Sequence, residues 1–350
     1  MNMKLKAWLV ALPLVLFVGG CVAPVPAPDT GPAAEATLVW PMPPEQARIR
    51  YLQDVTGPQD WGIERSWLQR LADVLTGSGA TRFVRPSAVA EASGVLYVAD
   101  RGAQSLWILD RPRNRHVRLT HIGGEALISP VALALRADGA VFVADTLLKK
   151  VFLLDREGAL IRTFVTQGLE RPAGLAWHEG TRQLYVLDSL RHRIAVFDGN
   201  GALLRYIGES GKGDGQFNHP THLAMDTSGA LLVTDAMNFR VQTLGRDGRF
   251  IRKFGKPGNG AGDFAAPKGV AVDADGHYYV VDALFDAVQI FDQQGQLLLG
   301  FGKHGEQPGQ FTLPGGLFIS AEDKVYVADA YNRRVQIFLG AIATGKGQDK

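Results

Sequence analysis

The chain has 350 residues, of which 46% are hydrophobic and 21% charged, so it is long enough to bury a large core in one or two domains. Its formal net charge is +2, but Lys4 and Lys6 lie in an N-terminal leader, and 37 − 2 leaves 35 basic against 35 acidic residues in the remainder. Nucleic-acid-binding domains usually carry a basic excess, because contacts with phosphates supply much of their affinity. The charge balance therefore argues against a nucleic-acid partner.

Residues 1–20 have the pattern of a secretory signal peptide. Lys4 and Lys6 form a basic start, and the apolar stretch from Trp8 to Val18 is shorter than the about 20 residues that a membrane-spanning helix needs. The sequence Val-Gly-Gly-Cys that ends at Cys21 resembles the lipobox of bacterial lipoproteins, whose cysteine is lipidated, and Cys21 is the only cysteine in the chain. The alternative is an ordinary cleaved signal followed by an incidental cysteine.

The lipobox resemblance implies a bacterial cell-envelope protein that contacts the membrane through a lipid on Cys21. Val22 follows the cysteine, where lipoproteins retained in the inner membrane typically have aspartate. We therefore expect the outer membrane, with the protein facing the periplasm. Residues 21–45 combine the cysteine with a segment rich in proline and alanine, which is expected to form an extended tether.

One sequence pattern recurs six times between residues 82 and 340. Each copy has an apolar residue followed three positions later by proline: Phe83/Pro86, Leu127/Pro130, Leu169/Pro172, Phe217/Pro220, Phe264/Pro267 and Phe311/Pro314. A short apolar stretch then ends in aspartate: Asp100, Asp145, Asp188, Asp235, Asp282 and Asp329. Successive aspartates are 43 to 47 residues apart. This period, with several short strands per copy, predicts an all-β fold, a six-bladed β-propeller.

The strand patterns within a copy resemble those of the NHL-repeat family. In the last copy, Tyr326-Val327-Ala328-Asp329 is followed by Asn-Arg-Arg-Val-Gln-Ile-Phe, which ends at Phe338. The resemblance covers about residues 82–340, is strongest in the last three copies, and implies a six-bladed propeller of the bacterial lipoprotein type. The repeat aspartates are expected to be structural, because a carboxylate at the end of a strand can accept hydrogen bonds from backbone N–H groups.

The sixth copy ends after three strands, at Phe338. The segment from Ala47 to Leu52 has the alternation of the missing strand, so we expect it to pair antiparallel with Ala330–Phe338. Residues 46–56 would then be the closing strand of the last blade. Such closure removes an unpaired sheet edge. The propeller domain would then run from residue 46 to residue 340.

Two further segments complete the chain. Residues 57–81 are predicted to form a helical insert, with one short helix from Ser66 to Leu75 that packs its apolar face on the propeller wall. Residues 341–350 are expected to be a flexible tail.

His222 interrupts a column of small residues in the repeats. Its equivalents are Ala88, Ala132, Gly174, Gly269 and Gly316. A bulky polar ring in this column is expected near the mouth of the axial funnel, and His219 is three residues away. We select His222 and His219 as ligand-binding candidates, and we assign no catalytic residue.

Two functions remain open. The first is a lipid-anchored, monomeric binding or scaffold module that presents its rim and funnel to an envelope protein or a small ligand. The alternative is a metal-dependent propeller lyase or lactonase-like enzyme centred on His222. Metal chemistry needs three or four converging ligands, and the other blades offer no matching histidine, so the sequence predicts no metal site and no cofactor. Regular repeats without a catalytic constellation favour the binding module.

Overall fold

The structure is a computed structural model that describes residues 38–64, 82–164 and 168–340. The predicted signal peptide, Cys21, the predicted helix from Ser66 to Leu75 and the C-terminal tail lie outside the described residues. Within the described ranges, no helix is long and apolar enough to cross a membrane.

The described chain forms six antiparallel blades, which confirms the predicted all-β propeller. In each blade, the strands run in order from an inner strand at the central channel to an outer strand. In blades 1 to 3 the strands are, from inner to outer, Pro86–Ala92, Val95–Asp100, Ser105–Asp110 and Arg115–Leu119; Pro130–Leu135, Val141–Asp145, Lys150–Leu154 and Leu160–Phe164; Pro172–His178, Gln183–Asp188, Arg193–Asp198 and Leu203–Ile207. In blades 4 to 6 they are His222–Met225, Leu231–Asp235, Arg240–Leu244 and Phe250–Phe254; Pro267–Val272, Tyr278–Asp282, Ala287–Phe291 and Leu297–Phe301; Leu317–Ile319, Lys324–Asp329, Arg334–Gly340 and Ile49–Val55.

A few short elements lie outside the main strands of the blades. Two small two-stranded sheets pair His121–Ile122 with Glu125–Ala126 and Glu209–Ser210 with Gln216–Phe217. In the part of the chain that the structure describes, the only helical element is a 3₁₀ turn at Ala236–Asn238.

Adjacent blades pack face to face and bury aromatic and aliphatic side chains between them. Tyr279 and Phe301 of blade 5 share one cluster with Phe338 of blade 6. Trp107 of blade 1 shares another with Tyr326 of blade 6, so the first and last blades are in contact and the ring is closed.

The outer strand of the last blade comes from the N-terminal side of the chain. Ile49–Val55 pairs antiparallel with Arg334–Gly340, and Ile49 lies opposite Gly340. Ile49 is fully buried, and the Arg334 guanidinium donates to the Asp54 carboxylate at 2.7 Å. The upstream segment therefore supplies both apolar contacts and a charged contact to blade 6.

A further strand lies upstream of this one. Val39–Trp40 pairs with the start of Ile49–Val55, and the Trp40 ring lies 5.7 Å from the ring of Phe301. Val39 and Trp40 fall within the segment 21–45, which the sequence assigns to a tether. The sheet thus begins before residue 46, because Trp40 can bury its ring against the aromatic side chains of blades 5 and 6.

The repeat aspartates are structural, as predicted from the sequence, and all six are fully buried. Asp145 accepts hydrogen bonds from the backbone N–H groups of Ile128 and Ser129, on the loop that enters blade 2, and of Leu147 and Leu148, after its second strand. One carboxylate thus joins the loop between two blades to the loop between the second and third strands. These two kinds of loop form one face of the propeller.

Arginines of the third strand pair with two of these carboxylates. Arg240 Nε lies 2.8 Å from Asp235 in blade 4, and Arg334 Nε lies 2.8 Å from Asp329 in blade 6. Blade 2 lacks this arginine, and there four backbone donors surround the aspartate instead. The fold therefore tolerates the departures from the motif.

Candidate functional site

The face built by these loops contains a cavity of about 510 Å³ at the mouth of the central channel. We call this cavity the funnel and this side of the propeller the funnel face. About half of the residues that line the funnel are apolar, and the polar ones are hydroxyl-bearing residues, two histidines and three cationic residues; no aspartate or glutamate is among the described lining residues. The lining cations are Arg101, Arg171 and Lys268.

The backbone around each cation is fixed by the repeat hydrogen bonds. Arg101 directly follows Asp100, which accepts from the next two N–H groups of the loop. Arg171 donates its own backbone N–H to Asp188 at 2.9 Å. The Lys268 carbonyl accepts a hydrogen bond from the Thr234 hydroxyl at 2.8 Å. The three cations therefore project from loops and strands that the buried core holds in place.

The charged residues that line the funnel are all cationic. Burial, together with the nearby charges of Arg101 and Arg171, lowers the pKa of Lys268, and Asp282 offsets part of this effect. In the described ranges, none of the three cationic side chains forms an ion pair or a hydrogen bond. A site of this kind attracts anions and repels metal cations.

His222 stands in the channel below the funnel mouth. It lines the funnel and also a second cavity of about 290 Å³, which is bounded by the opposite ends of the inner strands. The equivalent position in blade 5 has no room for a side chain, because a Cβ on Gly269 would lie 2.6 Å from the carbonyl oxygen of Gly315. His222 is the one large side chain of this column, as the sequence indicated.

The His222 ring is neutral at physiological pH. Desolvation, and secondarily the charge of Lys268, lower the pKa of His222 to about 3. Its Nδ1 atom is buried and has no hydrogen-bond partner among the described residues, and the same holds for the adjacent Thr221 Oγ1. Buried polar atoms without a partner cost about 1–3 kcal/mol each, so these two groups are poised to bind a polar ligand.

His219 lies at the rim of the funnel and turns toward a neighbouring blade. Its ring is 4.6 Å from that of His192, and its backbone N–H donates to His192 Nδ1 at 2.9 Å. Asp226, which follows His222 in sequence, accepts hydrogen bonds within its own turn from Ser228 and Ala230. The nearby polar residues therefore do not assemble a ligand set around His222. Across the described ranges, no group of three or more His, Cys, Asp or Glu side chains is placed to hold a metal ion.

A ring of exposed apolar side chains surrounds the funnel, and sequence reasoning missed it. Two residues after the repeat aspartate, five of the six blades carry a large apolar side chain whose exposed fraction is 48% to 64%. We call this ring the collar; it consists of Leu147, Leu190, Met237, Leu284 and Tyr331. Blade 1 has Gly102 at this position. In the sequence, the collar residues could have been recognised because they occupy the same position of their repeats, two residues after the aspartate.

Comparisons with protein-family models and with curated proteins found no match. Solved structures with a similar fold include virginiamycin B lyase from Staphylococcus aureus, which has a TM-score of 0.57 and 12% identity over 82% of this chain and 98% of that chain. A gluconolactonase from Xanthomonas campestris has a TM-score of 0.56 and 16% identity over 74% of this chain and 86% of that chain.

An auxiliary nutrient binding protein from Bacteroides thetaiotaomicron has a TM-score of 0.56 and 15% identity over 74% of this chain and 70% of that chain. At these identities the likeness shows a shared fold, and the three proteins differ in function. The architecture and these neighbours agree: the chain is a six-bladed β-propeller.

Proposed function

We propose that the chain is a non-enzymatic binding module of the bacterial cell envelope, anchored through a lipid on Cys21, that docks a partner protein on its funnel face. The observation that carries the proposal is the collar. Large exposed apolar patches on soluble domains mark interaction surfaces, whereas single exposed apolar residues need no explanation. Five equivalent loops each expose one apolar side chain around one cavity, so the exposed apolar residues are gathered on one face of the propeller.

The collar is also preorganised for binding. Leu147 and Leu284 donate their backbone N–H groups to the buried Asp145 and Asp282, at 3.1 and 3.0 Å. Loops held in this way lose little conformational entropy when a partner docks, so more of the contact energy contributes to affinity.

The proposed anchor gives the propeller room to reach a partner. From Cys21 to Leu38, the first described residue, the chain has 17 steps, which span at most about 60 Å when fully extended. We place the protein at the outer membrane, facing the periplasm, because Val22 follows the cysteine. The purified protein is expected to be a monomer.

The test compares two pairs of Gln substitutions at exposed apolar residues. The collar pair is Leu147→Gln with Leu284→Gln, and the control pair is Leu203→Gln with Ile251→Gln on outer strands, where the exposed fractions are 43% and 42%. Proteins that co-purify with the detergent-solubilised chain are quantified by mass spectrometry. We expect one partner that is retained by the control pair and reduced at least ~10-fold by the collar pair.

Two outcomes would contradict this proposal. One is a set of co-purifying proteins that the collar pair leaves unchanged. The other is a dimer of the purified chain, seen by sedimentation, that the collar pair dissolves; the collar would then be an interface between two copies.

The second candidate is an enzyme centred on His222. It is favoured by the unpartnered Nδ1 of His222 in the channel and by the lyase and lactonase among the proteins of similar fold. The three cations that line the funnel argue against a metal ion there. Elemental analysis of the purified protein distinguishes the enzyme from the binding module. Stoichiometric zinc or calcium that is lost in the His222→Ala variant would favour the enzyme.

A further inference from the structure

We propose that the funnel binds a small polycarboxylate, whose carboxylate groups sit on Arg101, Arg171 and Lys268. The inference rests on the proposed function, because it concerns the same face, and it adds the chemical class of the group that enters the funnel.

The three cations come from alternate blades. Arg101 belongs to blade 1, Arg171 to the loop that enters blade 3, and Lys268 to the inner strand of blade 5. In a ring of six blades this places them about a third of a turn apart around one cavity. A ligand with several carboxylates can therefore offer one to each cation.

These cations differ from others on the funnel face. Lys149 and Arg191 both pair with Glu170, at 2.7 and 3.0 Å, and the Arg85 guanidinium stacks over the Tyr331 ring at 4.8 Å. Within the described ranges, the cations that line the funnel have neither an ion pair nor an aromatic ring to stack on, and no carboxylate lines the cavity with them. Their mutual repulsion is relieved when a polyanion binds, and hydrogen bonds to charged groups are stronger than those between neutral groups.

The floor of the funnel supplies neutral polar groups. Thr221 Oγ1 and His222 Nδ1 are both buried without a partner, and a hydroxyl or carboxylate oxygen of the ligand would satisfy them. The cavity volume of about 510 Å³ lies within the usual range of small-molecule sites, roughly 300–1,000 Å³. A hydroxylated tricarboxylate matches this combination of charge, hydrogen-bonding groups and size.

The same carboxylates can come from two sources: a free solute, or an acidic loop of the docked partner. Titration calorimetry of the detergent-solubilised full-length protein distinguishes them. The probes are citrate, acetate, inorganic phosphate, sorbitol and a blocked Asp-Glu-Asp tripeptide. Tighter binding of citrate than of the tripeptide assigns the site to a free solute, and the reverse order assigns it to a protein loop. In either case, we expect acetate to bind at least ~100-fold more weakly than the better probe and sorbitol not to bind.

Substitutions test the geometry. Lys268→Met and Arg101→Gln should each weaken binding of the better probe at least ~10-fold. Lys256→Met makes the same change of charge at an exposed lysine outside the funnel and should alter the affinity less than ~2-fold. Arg101 lies on an exposed loop, so its variant is expected to fold even if the Lys268 variant does not.

The inference is overturned if neither citrate nor the tripeptide binds, if phosphate binds more tightly than both, or if Lys256→Met weakens binding as much as Lys268→Met. The collar pair Leu147→Gln with Leu284→Gln should keep the affinity for citrate while losing the partner protein. Loss of anion binding alone therefore leaves the proposed function standing, and loss of partner docking alone leaves the anion site standing.

Discussion

The contribution of the upstream strand to stability can be measured with one core substitution, Ile49→Ala. Ile49 is fully buried in a cluster with Tyr279, Phe301 and Phe338, at the junction of blades 5 and 6. The change removes three carbon atoms from this cluster, which is worth about 2.4 kcal/mol at roughly 0.8 kcal/mol for each buried CH₂ group. The cavity left behind adds to the cost, so we expect the free energy of unfolding to fall by about 3–4 kcal/mol.

Urea unfolding, followed by tryptophan fluorescence, measures this loss. Arg50→Ala is the matched control, because Arg50 is the exposed neighbour on the same strand and should change stability by less than about 0.5 kcal/mol. On heating, the Ile49 variant should melt roughly 5–6 °C below the control. Equal unfolding midpoints for the two variants would show that the upstream strand does not stabilise the last blade, and would refute the reasoning.

Three further predictions concern pH, the repeat carboxylates and the anchor. The pKa of His222 is lowered to about 3 in the folded protein, so between about pH 6.5 and 3 only the unfolded chain binds a proton at this residue. The free energy of unfolding should therefore fall as the pH falls through this range, by at most about 1.4 kcal/mol per pH unit for this residue. Urea unfolding at pH 4, 5 and 7 should show this fall, and His222→Gln should make it smaller. Asp145→Asn places an amide NH₂ among four backbone donors and should lower the free energy of unfolding by about 3 kcal/mol, whereas Asp214→Asn, at a half-exposed site, should change it little. Cys21→Ser should release the protein from membranes, because each buried CH₂ of an acyl chain contributes about 0.8 kcal/mol; a variant that still sediments with membranes after a high-salt wash would contradict the lipoprotein prediction.

The fold could be predicted from the sequence because its determinants recur at fixed positions. Asp145 and its five equivalents each end the second strand of a blade. Each must be buried among backbone donors so that the loop entering the blade meets the loop after the second strand. The strand at Val39–Trp40 could not be predicted, because Pro41, Pro43 and Pro44 give this segment the composition of a tether. Its pairing depends on the aromatic side chains of blades 5 and 6, which are distant in sequence.

The candidate site was predictable only in part. His222 stands out because it breaks a column of small residues, and the structure places it in the channel. The cations were missed because they occupy three different repeat positions: Arg101 follows an aspartate, Arg171 precedes a proline and Lys268 follows one. No column of the repeat brings these residues together, and only the closure of the ring does so.

The central claim is that the funnel face docks a partner, and site-specific photo-crosslinking in intact cells tests it most directly. A photoreactive amino acid is placed at Met237 in the collar or, as the control, at Leu204 on an outer strand; the exposed fractions are 59% and 47%. We predict one crosslinked protein at Met237 that is absent at Leu204 and is lost when the collar pair is also substituted. Identical crosslinking patterns at both positions, or a discrete product at Leu204 alone, would contradict the claim.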